Sequence, residues 1–248
     1  VKNSILIYVA AALFFGASVA RSAEPSNVGH AVPAPWKATD LGLAGVAPTT
    51  PPAAPTTTKP AARATVPGSA THADGVFTLQ GTMDLWGTAD GCHFAYQPAS
   101  GDVELIARVT AMENPGGVAH AKASLSIRAS LEAGAPHVTL AVTATDGAQF
   151  LHRDEADGKT AKVAVDAETQ KKLLPKAKFP IWLKLTRVGS EFTAYESADG
   201  TSWQITGKLQ LKLPPQTVAG IACSSHKPDV VTKATFDHVS IRETALLR

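Results

Sequence analysis

Apolar and polar residues alternate along most of the chain from Gly75 onward. Val103, Leu105, Ala107 and Val109 are set against Glu104 and Arg108, with Ile106 the exception. From Lys122 to Arg128 the alternation is unbroken: Ala123, Leu125 and Ile127 face one way, Lys122, Ser124, Ser126 and Arg128 the other. Val138, Leu140 and Val142 repeat the period, as do Ile181, Leu183 and Leu185. A period of two over so many segments predicts half-buried strands in antiparallel sheets. Ser100-Gly101-Asp102, Asn114-Pro115-Gly116-Gly117, Asp146-Gly147, Asp157-Gly158 and Asp199-Gly200 separate the runs. An Asp-Gly pair between alternating segments signals a hairpin, because both turn residues must accept positive φ. One short helix is expected, from Asp166 to Leu174. Strands at this spacing predict an all-β protein, a two-sheet sandwich or a barrel.

Composition narrows the setting. The 248 residues can bury a core without covalent staples. With 23 basic against 21 acidic side chains, the chain has no basic excess for a nucleic-acid partner. Two cysteines cannot build a disulfide-dense scaffold or a four-thiolate zinc site. At the N-terminus, Lys2 precedes an uncharged apolar run from Ile5 to Ala20. That run falls short of the roughly 20 residues a spanning helix needs, so residues 1–23 read as a secretory signal cut after Ala20 or Ala23. The expected location is periplasmic or secreted, with no membrane span in the mature protein and a loose stretch over 24–34. Residues 47–67 turn to Pro, Thr and Ala, a composition that favours an extended, mobile segment. The piece before it, Pro35 to Gly42, is too short to be a domain and reads as a first strand. One sandwich domain over 35–245, with an inserted loop at 47–67, is the resulting organisation.

Several strings follow one another in order. They are Pro35-Trp36…Asp40-Leu41-Gly42, Asp84-Leu85-Trp86-Gly87-Thr88-Ala89-Asp90, Gly101-Asp102-Val103-Glu104 with Ala107-Arg108-Val109, and Ala121-Lys122-Ala123…Ile127-Arg128. Trp182…Lys184-Leu185…Arg187…Phe192-Thr193-Ala194-Tyr195-Glu196-Ser197-Ala198-Asp199-Gly200…Trp203 completes the series. Together, over about residues 35 to 243, they resemble the bacterial concanavalin A-like β-sandwich domain of the "regulation of enolase" type. The resemblance implies a two-sheet antiparallel jelly roll and suggests carbohydrate contact. The inserted tract and the two cysteines depart from its pattern.

Candidate catalytic groups are sparse. Glycan hydrolases of the concanavalin A-like fold often carry Glu-x-Asp-x-Glu on a strand, which sets carboxylates on one face for attack and proton donation. Glu155-Ala156-Asp157-Gly158-Lys159 lacks the third carboxylate and falls in a predicted turn. A lyase set could draw on Tyr96, His93, Arg108, Lys122 and His226, whose spacing adds no support of its own. Ser197-Ala198-Asp199-Gly200-Thr201-Ser202-Trp203 resembles the Asp-box hairpin of sialidases, in which the aspartate braces the turn and the tryptophan packs under it. A single copy cannot make a propeller and points to a structural role.

Cys92 and Cys223 fall in separate strands 131 residues apart, and an oxidising compartment favours their pairing. Such a bond would contribute roughly 4–5 kcal/mol by chain entropy. In the sandwich the resemblance implies, the strands near 92–97 and 218–226 can be neighbours. Zinc on Cys92, His93, Cys223 and His226 would need a broken strand, because 92 and 93 point to opposite faces. Asp84, Asp90 and Asp102 offer only scattered carboxylates for calcium. No metal or cofactor is therefore assigned.

For ligand contact the candidates are His93, Gln97, Arg108, Lys122, Arg128, His226 and Trp86. With Cys92, Phe94 and Tyr96 inward, His93 and Gln97 would join Glu104, Arg108, Lys122, Ser124, Ser126 and Arg128 on an outer polar face. Planar donors there suit sugar hydroxyls or a uronate. Equally, a polar outer face is what an antiparallel sheet shows to water. Trp86 reads first as a core residue and second as a platform for a sugar ring. The function expected is a non-catalytic, exported module for glycan or cell-surface contact. A polysaccharide hydrolase or lyase, and a purely structural protein-interaction domain, are the alternatives.

Overall fold

The computed structural model describes residues 30–42, 66–115, 117–173 and 178–244. The signal segment at 1–23 and most of the Pro/Thr/Ala tract lie outside the described residues. The first strands are β1 (His30–Ala31), β2 (Lys37–Leu41), β3 (Ser69–Ala73), β4 (Val76–Met83), β5 (Cys92–Ser100) and β6 (Asp102–Glu113). Then come β7 (Lys122–Arg128), β8 (His137–Thr143), β9 (Gly147–Arg153), β10 (Ala161–Lys162) and the helix α1 (Ala167–Lys172). The chain continues through β11 (Ile181–Val188), β12 (Glu191–Ser197), β13 (Gln204–Gln210), β14 (Gln216–Ser224) and β15 (Lys227–Thr244). Asp166 caps α1 by accepting from the amides of Glu168 and Thr169.

These strands form two antiparallel sheets. The first runs β1-β3-β4-β15-β6-β11-β12-β13 and the second β10-β9-β8-β7-β14-β5-β2, a jelly-roll sandwich. Sequence neighbours are often separated in space: β14 lies between β5 and β7, and β15 between β4 and β6. The alternating residues meet where the pattern predicts. Leu105, Ala107 and Val109 of β6 and Leu183 and Leu185 of β11 pack with Leu125 and Ile127 of β7, Leu140 of β8 and Ile221 of β14. Burying each such side chain is worth about 1.5–3 kcal/mol. The sheets approach closely at Gly81, where a Cβ would come within 1.9 Å of the Cys223 carbonyl oxygen.

On two strands the pattern is incomplete as a guide. β7 and β8 are buried on both faces. The outer residues Lys122, Ser124, Ser126 and Arg128 do not meet water, contrary to what alternation implies, because loops fold over them.

Candidate functional site

In register across three neighbouring strands stand Arg128, His137 and Arg153, all buried on the outer face of the second sheet. Asp90, from the loop joining β4 to β5, lies on this row. Its Oδ2 accepts from Arg128 Nη1 at 2.6 Å and from Arg153 Nη1 at 2.9 Å, and its Oδ1 from Arg153 Nη2 at 2.8 Å. Burial by itself would raise the Asp90 carboxyl, but Arg128, His137 and Arg153 outweigh it and hold the group below the usual carboxylate range. Burial pushes the His137 imidazole down to about 3, so the ring stays neutral beside the two arginines. The remaining guanidinium donors find the carbonyls of Glu132, Ala133, Ala135 and Gly158 and the hydroxyl of Thr160. A buried charge cluster this well satisfied is a clasp for loops.

The clasp fixes the loop at 84–91 across the sheet. Leu85 points down and packs with Leu41, Cys92, Phe94 and Ala222, filling the outer face over β14, β5 and β2. At the far side the Thr160 amide donates to the Gly87 carbonyl at 2.7 Å. Gly87 takes φ +75°, a conformation that turns the chain just after Trp86. Asp84 and Trp86, either side of Leu85, therefore point away from the Leu85 cluster.

They border a hollow of about 370 Å³ with His120, Lys122, Gln149, Lys162 and His226. Trp86 is 47% exposed and presents much of its indole to the hollow. Asp84 bonds Lys122 Nζ through Oδ1 and lies 2.6 Å from His226 Nδ1 through Oδ2. An ionised carboxylate only accepts, so Nδ1 carries the proton of that bond. The His120 and His226 rings meet edge to face at 5.1 Å, and Lys122 Nζ also donates to the His120 carbonyl. His226 and Met83 both occupy the left-handed region, at φ +66° and +63°, and the His226 amide donates to the Met83 carbonyl at 2.6 Å. Such conformations cost about 1–3 kcal/mol each and persist where surrounding structure fixes them. Ser124 and Ser224, on the same sheet face, keep buried hydroxyls without a hydrogen-bond partner among the described residues.

Of the ligand candidates, the hollow gathers Trp86, Lys122 and His226. Trp86 is not a core residue, because Leu85 takes the buried place in its loop. Arg128 lies on the same face but is consumed by the clasp with Asp90. Arg108 belongs to the other sheet, where it pairs with Asp237 and stacks on Trp182. It and Glu104 are therefore on the opposite outer surface from Lys122, and the single polar face expected from sequence does not exist. The facing of β5 is also reversed. Ala95 and Ala99 enter the core, so Gln97 and His93 share their side, while Cys92, Phe94 and Tyr96 point outward. His93 sits 2.8 Å from Asp40 through Nδ1, and Asp40 accepts from the Gly68 amide.

The cysteines are free. β5 and β14 are neighbours, but Cys223 pairs in register with His93, so Cys92 is one step off and points to the other face. The same offset separates Cys92, His93, Cys223 and His226, the four residues weighed for zinc. Asp84, Asp90 and Asp102 go to three places, Asp102 accepting from the Gly189 amide. Glu155 and Asp157 lie in the turn after β9, and Asp157 reaches Gly134 through its amide. At Asp199 the turn forms as expected, with the amides of Thr201 and Ser202 donating to Oδ1 and holding the carboxyl well below its usual range. The ring beneath Gly200 is Trp182, however, while Trp203 packs over Lys184. Sequence reasoning missed His120, Gln149 and Lys162, since nothing local marks them. Asp84 is singled out in the sequence only as a scattered carboxylate for calcium and as part of the string that holds Trp86.

No family model matches the chain, and no curated relative matches it. Among solved structures, a functionally unknown protein from Saccharomyces cerevisiae is 16% identical over 71% of this chain and 92% of that one, with a TM-score of 0.55. A xylan β-1,4-xylosidase from Bacillus halodurans is 18% identical over 68% of this chain and 33% of its own, at 0.48. Lectin I-B4 from Griffonia simplicifolia is 11% identical over 71% and 92%, at 0.42. The likeness to the yeast protein shows a shared fold, and an identity this low extends to nothing more.

Proposed function

We propose that the hollow bordered by Trp86 and Lys122 binds a glycan and that the protein is a non-catalytic recognition module. The observation that carries this reading is the half-exposed Trp86 ring standing beside a hollow whose other bordering side chains carry hydrogen-bonding groups. An indole face stacks on the C–H face of a sugar, while Lys122, Lys162, Gln149 and the histidines suit its hydroxyls. Preformed rigidity supports the same reading, because the clasp at Asp90 sets Trp86 before any ligand arrives. The motif order supports a sandwich of the "regulation of enolase" type, and the segment Ile5 to Ala20 supports a periplasmic or secreted setting. Affinity electrophoresis against starch, xylan, polygalacturonate and alginate tests it. Retardation by at least one polymer, lost in Trp86→Ala, is expected; no retardation by any of them overturns the reading.

A second reading, a polysaccharide-active enzyme, draws on the Asp84–His226 pair. A carboxylate-oriented imidazole held in a strained backbone next to Lys122 is an arrangement suited to proton abstraction. Release of new reducing ends or unsaturated ends from those polymers, abolished by His226→Gln, would replace the binding module with the enzyme.

A further inference from the structure

Charge sorts the sugars that the hollow can take. Asp84 is the carboxylate on its border, and both oxygens are engaged, one by Lys122 Nζ and the other by the Nδ1–H of His226. Asp146, the residue before β9, stands just outside the border. Its Oδ2 accepts from Gln149 Nε2 at 3.2 Å and lies 3.2 Å from His120 Nδ1, while its Oδ1 accepts from Thr145 Oγ1 at 3.2 Å. Each acid therefore already has donors of the protein at both oxygens.

The cations are less fully matched. Lys122 is buried, and its ammonium has three N–H groups, of which two go to Asp84 and to the His120 carbonyl. Lys162 is exposed on the two-residue edge strand β10 and has no ion pair among the described residues. By register its backbone lies level with Leu151, while Asp146 adjoins Gly147 at the start of the same neighbouring strand. At a strand's rise of about 3.3 Å per residue, those levels are roughly 13 Å apart. Asp146 is thus answered by His120 and not by Lys162. Leaving the histidines aside, Lys122 and Lys162 outnumber Asp84 on the border, and the excess sits on Lys162.

From this balance we infer that the hollow binds an acidic sugar, a uronate residue of a carboxylated polysaccharide, in preference to a neutral one. The inference rests on the glycan-binding reading and names its ligand class. The uronate ring stacks on Trp86, and its carboxylate takes Lys162. Ring hydroxyls accept the remaining N–H of Lys122 and donate to His226 Nε2, which has a lone pair to offer because Nδ1 carries the proton. A neutral sugar makes the same hydroxyl contacts and leaves the charge of Lys162 to water. The carboxylate is the group that adds an interaction, and a lysine meets it as a point charge without a fixed geometry. An ion pair at so exposed a side chain is worth about two- to fivefold in affinity.

The test uses the full chain, with polygalacturonate and alginate each compared with the same polymer after its carboxyls are reduced to alcohols. At least one intact polymer should bind about two- to fivefold more tightly than its reduced form. Equal or tighter binding of the reduced forms, or binding of starch or xylan alone, overturns the acidic preference and leaves glycan binding in place. Failure of every polymer, reduced forms included, overturns both. Polyglutamate, a polyanion without sugar rings, separates recognition from bulk charge: competition as strong as that of the intact polymers also overturns both. Lys162→Gln is expected to remove the difference between intact and reduced polymer. Lys208→Gln, which takes an equal charge from β13 of the other sheet, should leave it. A difference that persists in Lys162→Gln, or falls equally in Lys208→Gln, refutes the assignment to Lys162.

Discussion

Replacing Asp90 by asparagine tests the clasp on which the site is built. The side chain keeps its shape and loses its charge, so little of the effect comes from packing. In the wild type the carboxylate takes three short hydrogen bonds from two guanidinium groups that are themselves fully buried. An amide can accept at one oxygen only and turns its NH₂ toward a donor. The loss is limited because Arg153 keeps the carbonyls of Ala133 and Gly158 and the Thr160 hydroxyl, and Arg128 keeps the Glu132 carbonyl. Breaking one side of a buried ion pair costs about 3–5 kcal/mol, and this geometry places D90N in that range. Domains have about 5–15 kcal/mol in total, so the protein should still fold. Urea unfolding followed by tryptophan fluorescence gives the difference, provided the slope is unchanged. Hydrogen exchange adds a local reading, since the Asp90 and Thr160 amides bond across the clasp to Ala133 and Gly87 and should lose protection first. Asp237→Asn, which frees the partly exposed Arg108, serves as control and should cost about 1 kcal/mol or less. A D90N loss below about 1 kcal/mol, with both amides still protected, would refute the role of the cluster.

Four further outcomes are expected. Stability should rise with pH between about 3 and 6.5 at up to about 1.4 kcal/mol per pH unit from His137 alone. The sign follows because burial depresses this imidazole when folded, so the unfolded chain binds the extra proton in that window. H137Q should flatten that portion of the stability curve. Asp90 adds the same sign at lower pH, its stabilisation present above the unfolded carboxyl value near 3.9 and lost as pH falls through its depressed folded value. Thiol titration should find two reactive cysteines in denaturant and almost none in the native protein, where burial pushes Cys223 up to about 12 and raises Cys92 further; no thiols in denaturant would mean a disulfide. Trp86→Ala should change stability by about 0.5 kcal/mol or less while abolishing glycan retardation. Gly81→Ala should fold poorly, because its methyl group would strike the Cys223 carbonyl in the facing sheet; wild-type yield and stability would contradict that packing.

The two layers follow from the residue pattern alone. A two-residue period places Leu125 and Ile127 against Leu105 and Leu183 whatever the loops do, since a strand's side chains must alternate and apolar ones must leave water. The Asp-Gly turns and the short helix beginning near Asp166 were legible for the same reason: each depends on neighbours within a few residues. The outward faces were not legible. β5 reads equally well with Phe94 or Ala95 inside, and only its register with β14 chose Ala95, which turned Cys92 away from Cys223. Lys122 and Arg108 look alike in sequence, but strand order sends them to opposite surfaces of the sandwich. Tertiary structure alone brought Asp90 to arginines 38 and 63 residues away and, through them, set Trp86 beside His226. Alternation reports one residue's preference for water or for a core. Which charges meet depends on loop paths that carry no period, so the site became visible only when the loop lay across the sheet.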